Sequence, residues 1–127
     1  MSELVLISHG QFCTELKKSA EMIMGPQDNI HTVGLLPNEG PEDFRAKFEQ
    51  ATADLGDFTV FADLMGGTPC NVAARILMEG KGSYDLYAGM NLPMVISFIN
   101  AAMLGSEPNI LDESKAGVVH VNDVLPK

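Results

Sequence analysis

Leu4-Val5-Leu6-Ile7-Ser8-His9-Gly10 decides how the rest of the chain is read. Four consecutive apolar residues suit a strand covered on both faces, the habit of parallel sheets. The run breaks at Ser8-His9-Gly10, and beyond it the period changes. Phe12, Leu16, Ala20, Ile23 and Met24 recur at helical spacing, with Glu15, Lys17, Lys18 and Glu21 mostly opposite. Gly25-Pro26 stops this helix.

Strand, turn and helix then alternate down the chain. Residues 30–36 read as a second strand and Pro37-Asn38-Glu39-Gly40 as a loop. Pro41, Glu42 and Asp43 open a second helix, since proline is tolerated at the first helical position and acids suit the positive end of the dipole. Phe44, Phe48, Ala51 and Leu55 line its apolar face, and Gly56-Asp57 ends it. Residues 58–62 make a third strand, Val72, Ala73, Ile76 and Leu77 the inner face of a third helix, and residues 84–88 a fourth strand. Pro93 starts a fourth helix, apolar nearly all round through Met94, Val95, Ile96, Phe98, Ile99, Ala102 and Met103. Such a helix hides both faces, so a protein partner is expected there. Residues 105–113 read as polar and loose, and 118–121 as one last short strand. Strands alternating with helices are βαβ units, hence an α/β, doubly wound, mainly parallel sheet with helices on both faces. Residues 1–127 are expected to form one domain, with a core over about 3–104 and a tail over 105–127.

A net charge of −9 leaves no basic stripe for a nucleic-acid backbone. Cys13 and Cys70 lack metal-ligand spacing and read as reduced thiols. Nothing near the N-terminus reads as a signal peptide, and the apolar stretch 92–104 is too short to span a bilayer, so a soluble, cytoplasmic domain is expected.

Ligands of open α/β sheets bind beyond the carboxyl ends of the strands, where strand order reverses. With strand order 2-1-3-4 that point lies between the first and third strands, which makes His9 and Asp63 neighbours. A neutral imidazole offers one lone pair for nucleophilic attack, and a carboxylate on its other nitrogen fixes the tautomer and steadies the growing positive charge. Gly66-Gly67-Thr68-Pro69 adds what a phosphoryl group needs. The glycines admit close backbone approach; Thr68 suits an N-cap and Pro69 the first helical position, which turns free amides and a hydroxyl toward an anion. Gly10 offers further amides at the first helix. No lysine or arginine is evident near the site, and no metal or cofactor is expected. His31 and His120 lack such partners and read as structural or surface residues.

Ser8-His9-Gly10, FADLMGGTPCNVAAR (61–75) and GMNLPM (89–94), in this order, resemble the mannose-class IIA component of the bacterial sugar phosphotransferase system. The resemblance runs from about residue 3 to residue 104. It implies a cytoplasmic homodimer whose C-terminal strand adds at the sheet edge, sometimes from the partner subunit. It further implies a phosphotransferase that takes a phosphoryl group from the phosphohistidine of the carrier HPr. That group passes to a histidine on a IIB component, which serves the membrane components IIC and IID. By position, His9 would be the phosphorylated residue and Asp63 its orienting carboxylate. Leu64, Met65, Gly66, Gly67 and Thr68 would hold the phosphoryl oxygens, and Asn91 would border the pocket. Since the chain stops at Lys127, the IIB component is expected on a separate polypeptide. Two alternatives share the scaffold. A phosphoryl-carrying subunit of dihydroxyacetone kinase usually has Ser-His-Ser where this chain has Ser-His-Gly. A regulatory module would leave the histidine unmodified.

Overall fold

The computed structural model describes residues 2–127. The elements follow in the order β1 (Glu3–His9), α1 (Phe12–Met24), β2 (Ile30–Leu35), α2 (Pro41–Thr52), β3 (Phe58–Ala62), α3 (Thr68–Met78), β4 (Asp85–Ala88), α4 (Leu92–Leu104) and α5 (Ile110–Ala116), then a short 3-10 turn (Val121–Val124). The four strands are all parallel and lie in the order β2-β1-β3-β4. β1 is therefore central, and strand order reverses beside it.

The apolar run of β1 supplies two cores. Successive side chains of a strand point to opposite faces. Leu4 and Leu6 enter a cluster with Cys13, Leu16 and Ala20 of α1, Phe61 of β3, Met94, Val95, Phe98 and Ile99 of α4, and Ile110 of α5. Val5 and Ile7 enter the other, with Phe44 and Phe48 of α2, Val60 of β3, and Val72, Ala73 and Ile76 of α3. Leu4, Val5, Leu6 and Ile7 are completely buried. At about 2 kcal/mol for each large apolar side chain removed from water, this strand alone is a principal source of stability.

Four sequence expectations are corrected by the structure. Residues 118–121 are not a strand: Val118, Val119 and Val121 are exposed, and the chain bends into the 3-10 turn. Strand preference reflects a fit to a pleated, half-buried surface, and this segment meets none within its own chain. Residues 105–113 are not wholly loose, because α5 begins at Ile110. Asn109 stands at its N-cap with Asp112 and Glu113 in the first turn, and the Glu113 carboxylate accepts the Asn109 N–H at 3.3 Å. α4 is apolar around its girth because α1 and α5 of the same chain pack on it, so a partner is not required to explain most of that surface. Finally, α2 stops at Thr52, whose hydroxyl donates to the Phe48 carbonyl at 2.9 Å, short of Gly56.

Candidate functional site

His9 is the last residue of β1, and Gly10 follows at φ +57°, a left-handed conformation that turns the chain toward α1. Ser8 is buried, and its hydroxyl accepts the Cys13 N–H at 2.8 Å, which ties this turn to the first turn of α1. On the far side the Gly10 N–H donates to the Leu35 carbonyl at the end of β2, at 2.7 Å. Gly34, one residue earlier, faces the Gly10 carbonyl so closely that no Cβ fits.

Asp63 follows β3 directly, and its N–H still donates to the Ile7 carbonyl at 3.1 Å. Its carboxylate accepts three N–H groups. Oδ2 takes the His9 backbone N–H at 2.9 Å and Nδ1 at 2.8 Å, while Oδ1 takes the Leu64 N–H at 2.9 Å. A carboxylate only accepts, so Nδ1 carries the proton and Nε2 keeps its lone pair. The histidine side chain is 48% exposed and the aspartate 12%. The carboxylate is thus sheltered while the ring remains accessible.

The ring's outer edge faces the loop into α3. A Cβ on Gly67 would fall 2.6 Å from His9 Cε1 and 3.2 Å from Nε2. Gly66 sits at φ +89°. Gly67 is the N-cap of α3, Thr68 its first residue and Pro69 its second, so Thr68 lies one position further into the helix than expected. The α3 N-terminus, the positive end of the helix dipole, lies beside the accessible imidazole nitrogen. Asn71, which the sequence did not single out, steadies this loop. Its N–H donates to the Gly67 carbonyl at 2.9 Å and its side-chain amide to the Gly66 carbonyl at 3.3 Å. Burial pushes the Cys70 thiol above its ordinary pKa; the Gly66 backbone opposes this and the Asp63 charge adds to it.

Most sequence-selected residues converge: His9, Asp63, Leu64 and Gly67 by direct packing or bonding, and Gly10, Gly66 and Thr68 by adjacency in the chain. Met65 is strongly exposed, so its side chain makes no wall for the site. Asn91 serves elsewhere. Its Oδ1 accepts the Met94 N–H at 2.9 Å as the N-cap of α4, and its Nδ2 donates to the Ser114 carbonyl at 3.1 Å. A groove between α2 and α3 runs past Thr68 and Asn71 and is flanked by Arg45 and Arg75, with the Arg45 guanidinium paired to Glu79 at 2.7 Å. Sequence separation hid this groove, because only the fold brings α2 beside α3. Phe12 at the start of α1, and Leu36, Leu64 and Met65 on the loops that follow β2 and β3, are exposed. His31 is paired with Glu3 at 2.7 Å, near the starts of β1 and β2, and His120 with Asp123 at 3.2 Å. Among the described residues, no three His, Cys, Asp or Glu side chains form a group able to hold a metal. No helix among the described residues is long and apolar enough to cross a membrane.

Residues 3–115 match the family model described as "PTS system fructose IIA component". The chain is 30% identical to the fructose-specific EIIA component of Bacillus subtilis over 119 residues, covering 91% of this chain and 81% of the relative. It is 34% identical to the mannose-specific EIIAB component of Escherichia coli over 102 residues, 77% of this chain but only 31% of that protein. Among solved structures, the IIA protein associated with the fucose utilization operon of Streptococcus pneumoniae superposes with a TM-score of 0.84 at 28% identity, covering 99% of this chain and all of that one (100%). The strand order, the histidine–aspartate pair and these matches lead to one assignment: the chain belongs to the mannose-class IIA family of the phosphotransferase system, phosphoryl carriers in sugar transport.

Proposed function

We propose that His9 is the residue that carries the phosphoryl group, through Nε2. One observation carries this reading: Asp63 Oδ2 holds Nδ1 at 2.8 Å and leaves Nε2 beside Gly67 at the α3 N-terminus. In the proposed step the Nε2 lone pair attacks the phosphorus of phosphohistidine on HPr. A new P–N bond forms as the donor's P–N bond breaks, and the electron pair returns to the donor ring. The imidazolium charge that develops on His9 lies against Asp63, and the phosphoryl oxygens lie against the backbone amides of Met65 to Thr68, because the Leu64 and Gly10 N–H groups are already given to Asp63 and to the Leu35 carbonyl. Positioning and charge stabilisation supply the catalysis. A second displacement of the same kind, onto a histidine of a IIB component, unloads the carrier and so serves IIC and IID indirectly. Asn91 enters only by fixing the start of α4.

The exposed Phe12, Leu36, Leu64 and Met65 support docking of both partners over the same histidine, because an apolar contact would exclude the water that hydrolyses phosphohistidine. We further propose that the chain works in the cytoplasm as one domain over residues 1–127 and as a homodimer. Exposed Val118, Val119, Val121, Val124 and Leu125 give the tail an apolar surface for a second copy.

Mass spectrometry after incubation with phosphoenolpyruvate, enzyme I and HPr tests the central claim. An acid-labile gain of one phosphoryl group, absent from His9→Ala, is expected. An unmodified wild-type chain beside phosphorylated HPr overturns it.

A further inference from the structure

We propose that Lys47 and Glu39, neither of which reaches the reacting atoms, are positioning residues that hold the His9 turn from its open side. The inference rests on the reading of His9 as the phosphoryl-carrying residue. The turn is gripped between two strands. On the β3 side Asp63 accepts the His9 N–H, and β3 is itself flanked by β4. On the β2 side the grip consists of the Gly10 N–H on the Leu35 carbonyl and the Gly10 carbonyl packed on Gly34. β2 is the edge of the sheet, so no further strand backs it.

Lys47 takes the place of that missing strand. Carbonyls of successive strand residues point to opposite edges. Leu35 turns its carbonyl inward to Gly10, and Gly34 turns its own outward. From α2, Lys47 Nζ donates to the Gly34 carbonyl at 2.6 Å and to Glu39 Oε1 at 2.8 Å. The same Glu39 oxygen accepts the Leu36 N–H at 2.9 Å, and the Glu39 N–H donates to the Leu36 carbonyl at 3.0 Å. The ammonium thus gathers the end of β2 and the following turn onto α2, behind the residues that Gly10 rests on. Charge-assisted bonds of this kind are stronger than neutral ones, and the Glu39 side chain is only 17% exposed. Without them the edge is free to move outward, and His9 keeps only its Asp63 anchor.

Lys47→Met retains the aliphatic stem and removes the charge; Glu39→Gln keeps an acceptor oxygen and removes the opposing charge; Lys47→Arg restores a donor. Two readouts are measured on the full chain, hydrogen exchange of the Gly10 amide and the rate of phosphorylation by phosphorylated HPr at saturation. Exchange at Gly10 is expected to rise about tenfold in Lys47→Met and Glu39→Gln while exchange in central β1 is unchanged. The saturating rate is expected to fall about tenfold with half-saturation for the donor unchanged, and Lys47→Arg to recover most of it. Unchanged Gly10 exchange overturns the proposal, as does a rate lost only through weaker donor binding. If wild-type chain takes no phosphoryl group, the carrier reading fails, while Gly10 exchange still decides whether Lys47 and Glu39 hold the turn.

Discussion

Gly67 presses its Cα against the imidazole edge of His9, leaving a Cβ only 2.6 Å from Cε1. Its backbone, at φ −90° and ψ 166°, is one that alanine adopts freely. Gly67→Ala therefore adds a methyl group without backbone strain, and that methyl must displace the ring or the loop. Phosphorylation at His9 is expected to slow about a hundredfold or more. Thermal unfolding should barely move, and stopped-flow transfer assays beside a melting curve check both.

Asp63→Asn tests the three-donor carboxylate. An amide offers one acceptor oxygen where the carboxylate offers two, so either the two His9 bonds or the Leu64 bond is lost. A loss of about a hundredfold or more in phosphorylation rate is expected, with the His9 ring free to change tautomer. Nitrogen-15 spectra of the ring distinguish the two tautomers directly.

Tyr84 gives a pH dependence far from the site. Burial pushes its phenol up to about 12 from an ordinary 10.0. The neutral form is the one the fold favours, so this contribution is complete below pH 10 and is lost as pH rises toward 12. Tyr84→Phe should flatten the fall in stability over that window, read by denaturant unfolding at a series of pH values. The hydroxyl's bond to the Ala73 carbonyl, at 2.6 Å, disappears in the variant and sets a small cost at neutral pH.

Val118→Lys with Val121→Lys tests the tail as a contact between copies. Both valines are exposed in the single chain, so the substitutions cost its fold little. Sedimentation should show a dimer for the wild-type chain and a monomer for the double variant. A wild-type monomer at micromolar concentration, or a variant that still dimerises, overturns the homodimer proposal.

What the sequence disclosed followed the strength of its local signals. The β1 run, the helices α1 to α3, and the Gly66-Gly67-Thr68-Pro69 turn are each decided within a few neighbouring residues and stand as elements in the structure, although Phe12 and Ile23, read on the apolar face of α1, are exposed. α5 was illegible because, among its seven residues, only Ile110 and Ser114 are buried, too few to establish a period. Residues 118–121 misled because β-branched composition signals a strand without supplying a neighbour to pair with. Asn91 is a different case. Its place after β4 is that of a ligand-facing residue, yet its amide is committed to α4 and α5, a choice that only tertiary contacts make. For the same reason Lys47 was not singled out: α2 reaches the outer edge of β2 only through the fold, at no fixed spacing from His9.

The single oxygen that binds both the backbone and the ring of His9 has a kinetic meaning. With main chain and imidazole tied to one atom, the ring's orientation is settled when the protein folds rather than when a partner arrives. On the proposed reading of His9, each encounter, loading or unloading, then meets the same barrier-lowering geometry. A relay built this way has no internal ratchet. The direction in which groups flow through it is set outside the molecule, by how full the donor and acceptor pools are, and reversing their ratio should run the same site backwards.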